Sequence, residues 1–594
     1  MEACSSGWFI RKIFAMNHLV KPATLSRRTF IGTTSMAVTA LLAGRGFAAG
    51  STERRKVDVC IYGGTSGGVI AAVALARLGR SLLLVEPTRH IGGMTSGGLG
   101  WIDFGRASTI GGLTKQYFDD VRAYYAAAKI SSNGWSVEPH VAEEIFEKLV
   151  TKNKVEVLRE ARLAAVEKSG RRIRSITLDK APVNLHGAPS PQPLEKNFLT
   201  VEAAMFIDCS YEGDLLAGAG VSHRTDREGR DEFNESFAGV SFAEISTERA
   251  GNSKAAQIPL RIDPFVRPGD PSSGLLPFVS ASPLPAEGQK NPAVQACSFR
   301  LCLTKQDSIP IAPPANYDPL NYEIVRRYLA ALDAVHEPLL PGDLYFNFGR
   351  KLPYPHPRLL KITKLMRGKT DVNSGSCGIS MDFVNGGAER YANGSWTERA
   401  KIWRAHEDYQ RGYFYFLRTD ARLPEWLRKE ISPWGLPKDE FRDTGGWPTQ
   451  LYIRAARRMV GQFVINQNFC EHPVVREDSV GLGSYSLDSH VCQRLVKDGA
   501  VIHEGGFYHR LEKPYPIPFT AIVPREGECE NLLVIFCVSA THVAFASVRM
   551  EPPFMILSES AALAADQALR EGTSIQKINQ TKLRTRLQDA GQIL

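Results

Sequence analysis

Val57-Asp58-Val59-Cys60-Ile61-Tyr62 runs directly into Gly63-Gly64-Thr65-Ser66-Gly67-Gly68 and then into Val69-Ile70-Ala71-Ala72-Val73-Ala74-Leu75-Ala76-Arg77-Leu78. The first run is short and mostly apolar, as a strand buried in a parallel sheet is. The third is alanine-rich and of helical length, with Gly79 placed to end it. Ser81 to Val85 is a second apolar strand, and it ends at an acid, Glu86. Strand, glycine turn, helix, strand and acid is the order of a dinucleotide-binding βαβ unit. Gly63 permits the tight turn, Gly68 lets helix and strand pack closely, and the helix N-terminus offers free N–H groups to a pyrophosphate. Glu86 is placed to accept hydrogen bonds from ribose hydroxyls. The middle glycine of G-x-G-x-x-G is Thr65 here. That substitution calls for a more distant phosphate, or for a hydroxyl contact to it.

The residues after Glu86 separate two kinds of dinucleotide. Pro87 is succeeded closely by Arg89-His90-Ile91-Gly92-Gly93-Met94-Thr95-Ser96-Gly97-Gly98-Leu99-Gly100. A second glycine-rich loop lets backbone lie against a large flat cofactor. Nicotinamide enzymes proceed instead to another βα unit. FAD is therefore the expected cofactor, and the expected fold class is α/β with a Rossmann-like domain.

These segments, with others further along, carry a resemblance. Tyr62 to Gly68, Arg89 to Met94, Glu138-Pro139-His140-Val141-Ala142-Glu143 and Ile207-Asp208-Cys209-Ser210-Tyr211-Glu212-Gly213-Asp214-Leu215 belong to the set. So do Phe299 to Thr304, Asp443-Thr444-Gly445-Gly446-Trp447-Pro448, Tyr452 to Met459, Ser539 to His542 and Arg549-Met550-Glu551-Pro552. Together they resemble the bacterial, often exported, FAD-dependent oxidoreductase family related to the fumarate-reductase and succinate-dehydrogenase flavoproteins. The family commonly has threonine at the position of Thr65. The resemblance implies a glutathione-reductase-type FAD-binding domain, discontinuous in sequence, with an inserted α+β substrate or cap domain. It specifies no substrate. The expected cofactor contacts are Gly63, Gly64, Thr65, Ser66, Gly67, Gly68, Glu86, Pro87, Arg89, Gly92, Gly93, Met94, Thr95, Asp208, Met550 and Glu551. His90 stands where related flavoproteins carry a histidine bonded covalently to FAD, although its neighbours differ from theirs.

The expected organisation is a leader over 1–50, the first part of the cofactor domain over 51–240, a cap over 241–440 and a return segment over 441–594. Glu138 to Thr151 is read as a helix, and four strands come next at Val155 to Leu158, Arg162 to Glu167, Ile173 to Leu178 and Leu199 to Ile207. Lys180 to Asn197 is a loop. Asp208 ends a buried strand, so it is either close to the flavin or a helix N-cap. In the cap, Arg261 to Ala293 and Pro310 to Pro319 are irregular loops, whereas Ser395 to Arg418 has the spacing of a helix. Trp396, Trp403, Trp426, Trp434 and Trp447 crowd the end of the cap. They read either as platforms for a sugar or as core packing. In the return segment, Tyr452 to Asn468 is read as a helix, Pro514 to Phe519 as an extended segment and Asn531 to Val538 as a strand. Ser547 to Leu569 includes a last helix whose small residues allow close approach to the glycine helix. Its positive pole, near Arg549 to Phe554, would face the flavin.

Oxidation by a flavin needs a base for the proton that accompanies the hydride. The candidates are His490 and His542, with Arg454, Arg457 and Arg549 to hold a substrate carboxylate or an oxyanion. The expected partners are a small organic substrate, such as a carbohydrate or a hydroxy or carboxylic acid, and an unidentified electron acceptor. A redox-neutral lyase or isomerase acting on a saccharide, and an electron-transfer flavoprotein, are the alternatives.

The composition fits a soluble globular chain, with 43% hydrophobic and 23% charged residues. A net charge of +9 would suggest nucleic acid if it were concentrated. However, Arg11, Lys12, Lys21, Arg27, Arg28 and Arg45 face only Glu2 in residues 1–50, so five of those nine charges lie in the leader. The remainder is dispersed, and nucleic-acid binding is not expected. Ser26-Arg27-Arg28-Thr29-Phe30-Ile31, the apolar stretch to Gly44 and the small residues Gly46, Ala48 and Ala49 resemble a twin-arginine signal, with Met16 as an alternative start. The apolar stretch is shorter than the ~20 residues of a membrane span. Ten cysteines, with no Cys-x-x-Cys and no Cys/His grouping, point to neither a metal site nor a disulfide framework.

Overall fold

The computed structural model of the chain describes residues 53–242, 261–335, 359–374 and 379–594. The expected leader, 1–50, lies outside the described residues. Residues 53–594, so far as described, belong to one compact unit.

The βαβ unit forms as its sequence dictates. β1 (Glu53–Tyr62) buries its second half completely. α1 (Ser66–Arg77) is buried from Ser66 to Leu75, and β2 (Leu82–Glu86) lies parallel beside β1. Gly79 has φ +74°, so α1 ends on a left-handed glycine as expected. α2 (Gly112–Ala127) and α3 (Pro139–Lys152) come next, the latter with Pro139 at its first turn. β3 (Val157–Arg159) joins β2 in parallel. β4 (Ala161–Ser169) and β5 (Arg172–Lys180) form an antiparallel pair leading to β6 (Glu195–Asp208).

β6 is the axis of the sheet. One edge pairs in parallel with β1 over nearly its whole length. The other edge is divided: Glu195 to Glu202 pairs antiparallel with β5, while Phe206 to Asp208 pairs in parallel with Leu532–Val534 from the far end of the chain. The result is a seven-stranded sheet in the order β3-β2-β1-β6-β5-β4, with the 532–534 strand also on β6. The cofactor domain is therefore discontinuous in sequence. The carboxyl ends of β1, β2, β6 and the 532–534 strand all open on one edge, where α/β sheets bind their ligands.

The last helix is two helices. His542–Val548 stops at Arg549, and Glu551–Glu571 begins after Met550, with Pro552 and Pro553 in its first turn. A proline is welcome at a helix start and breaks a helix interior, so the chain restarts there. The Glu551–Glu571 helix packs against α1 through small residues such as Ser558, Ala561 and Ala565. A further helix, Gln580–Asp589, closes the chain.

The inserted part contains an antiparallel sheet of Leu301–Thr304, Lys369–Ser374 and Leu360–Lys364. The helix Trp396–Thr419 is capped by Ser395, whose side chain accepts from Glu398 N. Its expected face, Ile402, His406, Tyr409, Tyr413 and Phe416, is buried.

One element differs from expectation. Tyr452 to Asn468 is not a helix; only Gln467–Glu471 is helical there. Residues 451–459 are all buried, with no polar face turned to solvent. The arginines that gave the stretch its apparent helical face point inward instead. The eight described cysteines are free and buried. Among the described residues, no helix is long and apolar enough to cross a membrane.

Candidate active site

Gly63 has φ +101°, a conformation side chains rarely adopt, and the peptide after β6 lies against it. A Cβ on Gly68 would stand 1.9 Å from the Gly63 carbonyl oxygen, so helix and strand approach as closely as backbone allows. Thr65 is the N-cap of α1. Its hydroxyl accepts from Gly68 N at 3.2 Å and donates to the Cys209 carbonyl at 2.9 Å. The hydroxyl that replaces the usual middle glycine thus serves the helix and the neighbouring strand. The donors left at the start of α1 are those that any helix start leaves free for an anion.

The carboxylate of Glu86 accepts from Gly64 N and from Thr88 N, each at 2.6 Å. It is buried, and burial raises its pKa against those hydrogen bonds. Next to it, His90 stands between two acids, with Nδ1 2.8 Å from Glu143 and Nε2 3.0 Å from Asp443. Burial alone would lower the imidazole's pKa. The hydrogen bond and charge of Glu143, with the charge of Asp443, raise it to about 9 instead. His90 is therefore an imidazolium at neutral pH, and both ring nitrogens are engaged. Arg89 reaches Glu160, Asp443 and the Val183 carbonyl.

Glu551, the first residue of its helix, is buried and ties three segments together. Ser66 Oγ and Thr95 Oγ1 donate to one oxygen, and Tyr211 OH donates to the other at 2.7 Å. The same tyrosine oxygen accepts from Met94 N at 2.8 Å. The carboxylate thus lies where two helix N-termini converge, a placement their dipoles favour. The Asp208 carboxylate accepts from Ser210 N at 3.0 Å and from Leu216 N, in the first turn of the short helix Asp214–Gly218, at 2.8 Å.

A cavity runs along these residues. Gly63, Thr65, Glu86 and Pro87 form one wall, Ser210 to Glu212 another, and Arg162, Tyr391, Trp396 and Trp403 close it. Trp396 is held between two guanidinium groups, Arg162 at 4.6 Å and Arg399 at 4.8 Å. Two of the five clustered tryptophans thus face the cofactor channel, while Trp447 is fully buried beside Phe299. A close-packed glycine turn, a capped helix start and a buried acid at the end of β2 are what the two phosphates and ribose of FAD require. The residues fit the cofactor.

The two candidate bases differ. His490 Nδ1 lies 2.8 Å from Asp382 Oδ2, and Arg454 stands 3.4 Å from the other oxygen. Burial would raise Asp382, but the charges of Arg454 and His490 bring its pKa down to about 2. His490 is held below its ordinary value by burial and by Arg454, against the pull of Asp382. At neutral pH the carboxylate is ionised and the imidazole neutral. Nδ1–H then donates to Asp382, and Nε2 keeps its lone pair. His542 is also buried, and burial together with Arg458, Arg227 and Arg549 pushes its pKa far down. Its Nε2 has no hydrogen-bond partner among the described residues, and no acid orients its ring.

The arginines are engaged within the protein. Arg454 donates to the Ala296 carbonyl and to Ser298, and Arg457 to the Glu212 carbonyl and Asp214. Arg549 donates to Tyr452 OH and to the Asp488 carbonyl. They hold the loops around the site in place, which makes them poorer candidates for a substrate carboxylate than their sequence spacing suggests. Sequence reasoning missed Asp382, a single acid in the inserted part with no motif around it. Elsewhere Glu138, His140, Asp439 and Glu440 lie together. The Lys369 ammonium lies 2.6 to 2.9 Å from Glu138, Asp439 and Glu440, and Arg367 also pairs with Glu138, so cations of the protein already occupy this cluster.

A model of the family described as FAD dependent oxidoreductase matches residues 58–587. The chain belongs to that family. FAD is accordingly the cofactor that the glycine turn and the Glu86 wall accommodate, and this FAD-dependent oxidoreductase is an enzyme. No curated protein matches it. Among solved structures, a geranylgeranyl bacteriochlorophyll reductase-like protein from Thermoplasma acidophilum is 11% identical, with 91% of this chain and 85% of that one covered and a TM-score of 0.33. OxyS anhydrotetracycline hydroxylase from Streptomyces rimosus is 15% identical over 30% of this chain and 38% of that one, at a TM-score of 0.19. p-Nitrophenol 4-monooxygenase PnpA from Pseudomonas putida DLL-E4 is 11% identical over 30% and 47%, at 0.21. The chain spans less than half the length of these last two. Scores this low carry no argument about substrate.

Proposed function

We propose that this FAD-dependent oxidoreductase oxidises a hydroxyl-bearing small molecule, a carbohydrate or a hydroxy acid, with His490 as the base. The observation that carries this reading is the His490–Asp382 pair. An ionised, buried carboxylate fixes the imidazole tautomer, so Nε2 can take a proton from a substrate hydroxyl. Arg454 holds Asp382 in its charged form, and its own hydrogen bonds to Ala296 and Ser298 fix its position. When bound, FAD supplies the two-electron acceptor. The Arg27-Arg28 leader supports a role outside the cytoplasm, which fractionation of the expressing cell would test.

The reading is tested by mixing the flavin-loaded protein anaerobically with sugars and hydroxy acids. Bleaching of the flavin absorbance by wild type, lost in His490→Ala with flavin content retained, is the expected result. Equal bleaching by His490→Ala removes His490 from the mechanism. Turnover without bleaching replaces oxidation with a redox-neutral reaction.

A further inference from the structure

A second cavity, of about 280 Å³, shares no lining residue with the cofactor channel. Its walls come from residues 101–106, which continue the second glycine loop, and from 484–486 and 508–511. Trp101, Asp103, Phe104, Tyr485, Ser486 and Tyr508 give it its chemistry.

Its position is set by how those walls are fixed. The loop that begins at Gly93, a lining residue of the cofactor channel, reaches the second cavity at Trp101. On the other side, Ser547 Oγ donates to the Tyr485 carbonyl at 2.6 Å, and Arg549 donates to the Asp488 carbonyl at 2.9 Å. Ser547 and Arg549 precede the helix that starts at Glu551. The cavity is thus fastened to the cofactor-binding end of the fold, and its 484–486 wall is followed four residues later by His490.

Its lining selects a chemical class. Asp103 is a half-buried carboxyl with no hydrogen bond or ion pair to any described residue. Burial raises its pKa; Lys361 and Arg300 oppose that, while Asp488 and Asp371 add to it. Around it are hydroxyls that can both donate and accept: Ser486 Oγ donates to Tyr508 OH at 3.1 Å, and Tyr485 OH donates to Asp488 at 3.3 Å. Phe104 stacks on Trp135 with ring centroids 3.9 Å apart and planes at 20°, which fixes it as one side of the cavity. Arg106 and Arg510 stand at the exposed rim. An apolar ligand would leave Asp103 unpaired and poorly solvated. A compact carboxylate at the same place would meet it as a like charge. A ring with hydroxyls at its edge and an apolar face satisfies the carboxyl, the hydroxyls and the aromatic side chains together.

We propose that this cavity binds a saccharide, with Asp103 accepting hydrogen bonds from sugar hydroxyls and Trp101 lying against the ring. This rests on the reading of the protein as an oxidase of hydroxyl-bearing molecules, and identifies the class of molecule. The rim arginines allow either a neutral sugar or a uronic acid.

Calorimetric titration of the flavin-loaded protein with cellobiose, glucose, glucuronate and succinate tests it. Binding of at least one sugar, weakened about tenfold or more in Asp103→Asn and in Trp101→Leu with flavin content unchanged, is the expected result. Glucuronate binding in preference to glucose identifies an acidic sugar, and the reverse a neutral one. The proposal is overturned if no sugar of the panel binds, if succinate binds more tightly than any of them, or if both variants bind sugar as the wild type does. Sugar that binds through Asp103 without bleaching the flavin sinks the oxidase reading alone. Bleaching that both variants leave untouched sinks the saccharide cavity alone.

Discussion

His490 and Asp382 are 108 residues apart in the chain, yet the imidazole Nδ1 lies 2.8 Å from the carboxylate. One comes from the return segment and the other from the insertion, so the pair exists only when the two are docked. Asp382→Asn keeps the shape and removes the charge that selects the tautomer. Flavin reduction by substrate should slow by roughly 10²–10⁴-fold, with flavin content unchanged, as stopped-flow spectroscopy would show. In the wild type, the acid limb of kcat/KM should lie below pH 6.5, because the pKa of His490 is lowered. A limb at or above that value would point to another base.

Gly68→Ala places a methyl group 1.9 Å from the Gly63 carbonyl oxygen. The glycine turn must open, and with it the anion site at the start of α1. FAD affinity should fall at least tenfold, about 1.4 kcal/mol, measured as flavin retained after gel filtration.

Stability should depend on His90. Its folded pKa of about 9 exceeds the ordinary 6.5, so its two ion pairs stabilise the fold fully below about pH 6.5 and are lost as pH rises through 9. Melting temperature should drop over that window, and His90→Gln should flatten the drop. A wild-type profile that is level from pH 6.5 to 9.5 contradicts this.

Glu551→Ala removes the shared acceptor of Ser66, Thr95 and Tyr211. Buried hydroxyls without partners should lower stability by about 2–4 kcal/mol in urea unfolding. Glu551→Gln, which keeps one oxygen acceptor, should lose less.

These sites differ in how plainly the chain announced them. Tyr62 to Glu86 was legible because every requirement there is local: an apolar strand, a glycine turn, a cap and an acid succeed one another without help from elsewhere. The Glu551–Glu571 helix was legible, start included: its N-terminal pole is expected near Arg549 to Phe554, and Pro552 and Pro553 stand in its first turn. Tyr452 to Asn468 misled because Arg454, Arg457 and Arg458 stand at helical spacing in a stretch that is not helical. All three are buried instead and donate to distant carbonyls. Asp208 was readable in two ways, and its hydrogen bonds to Ser210 and Leu216 tie it to the first turn of the helix Asp214–Gly218. Asp382 could not be found at all, since only its distance from His490 marks it.

The far-end strand at 532–534 and the 551–571 helix both complete the sheet edge and the helix layer that Gly63 and α1 begin. The glycine turn and α1 are therefore fully packed only when residues 532–534 and 551–571 are docked beside them. A polypeptide cut before residue 530 would keep every glycine of the first turn while lacking the strand and the helix that pack beside it.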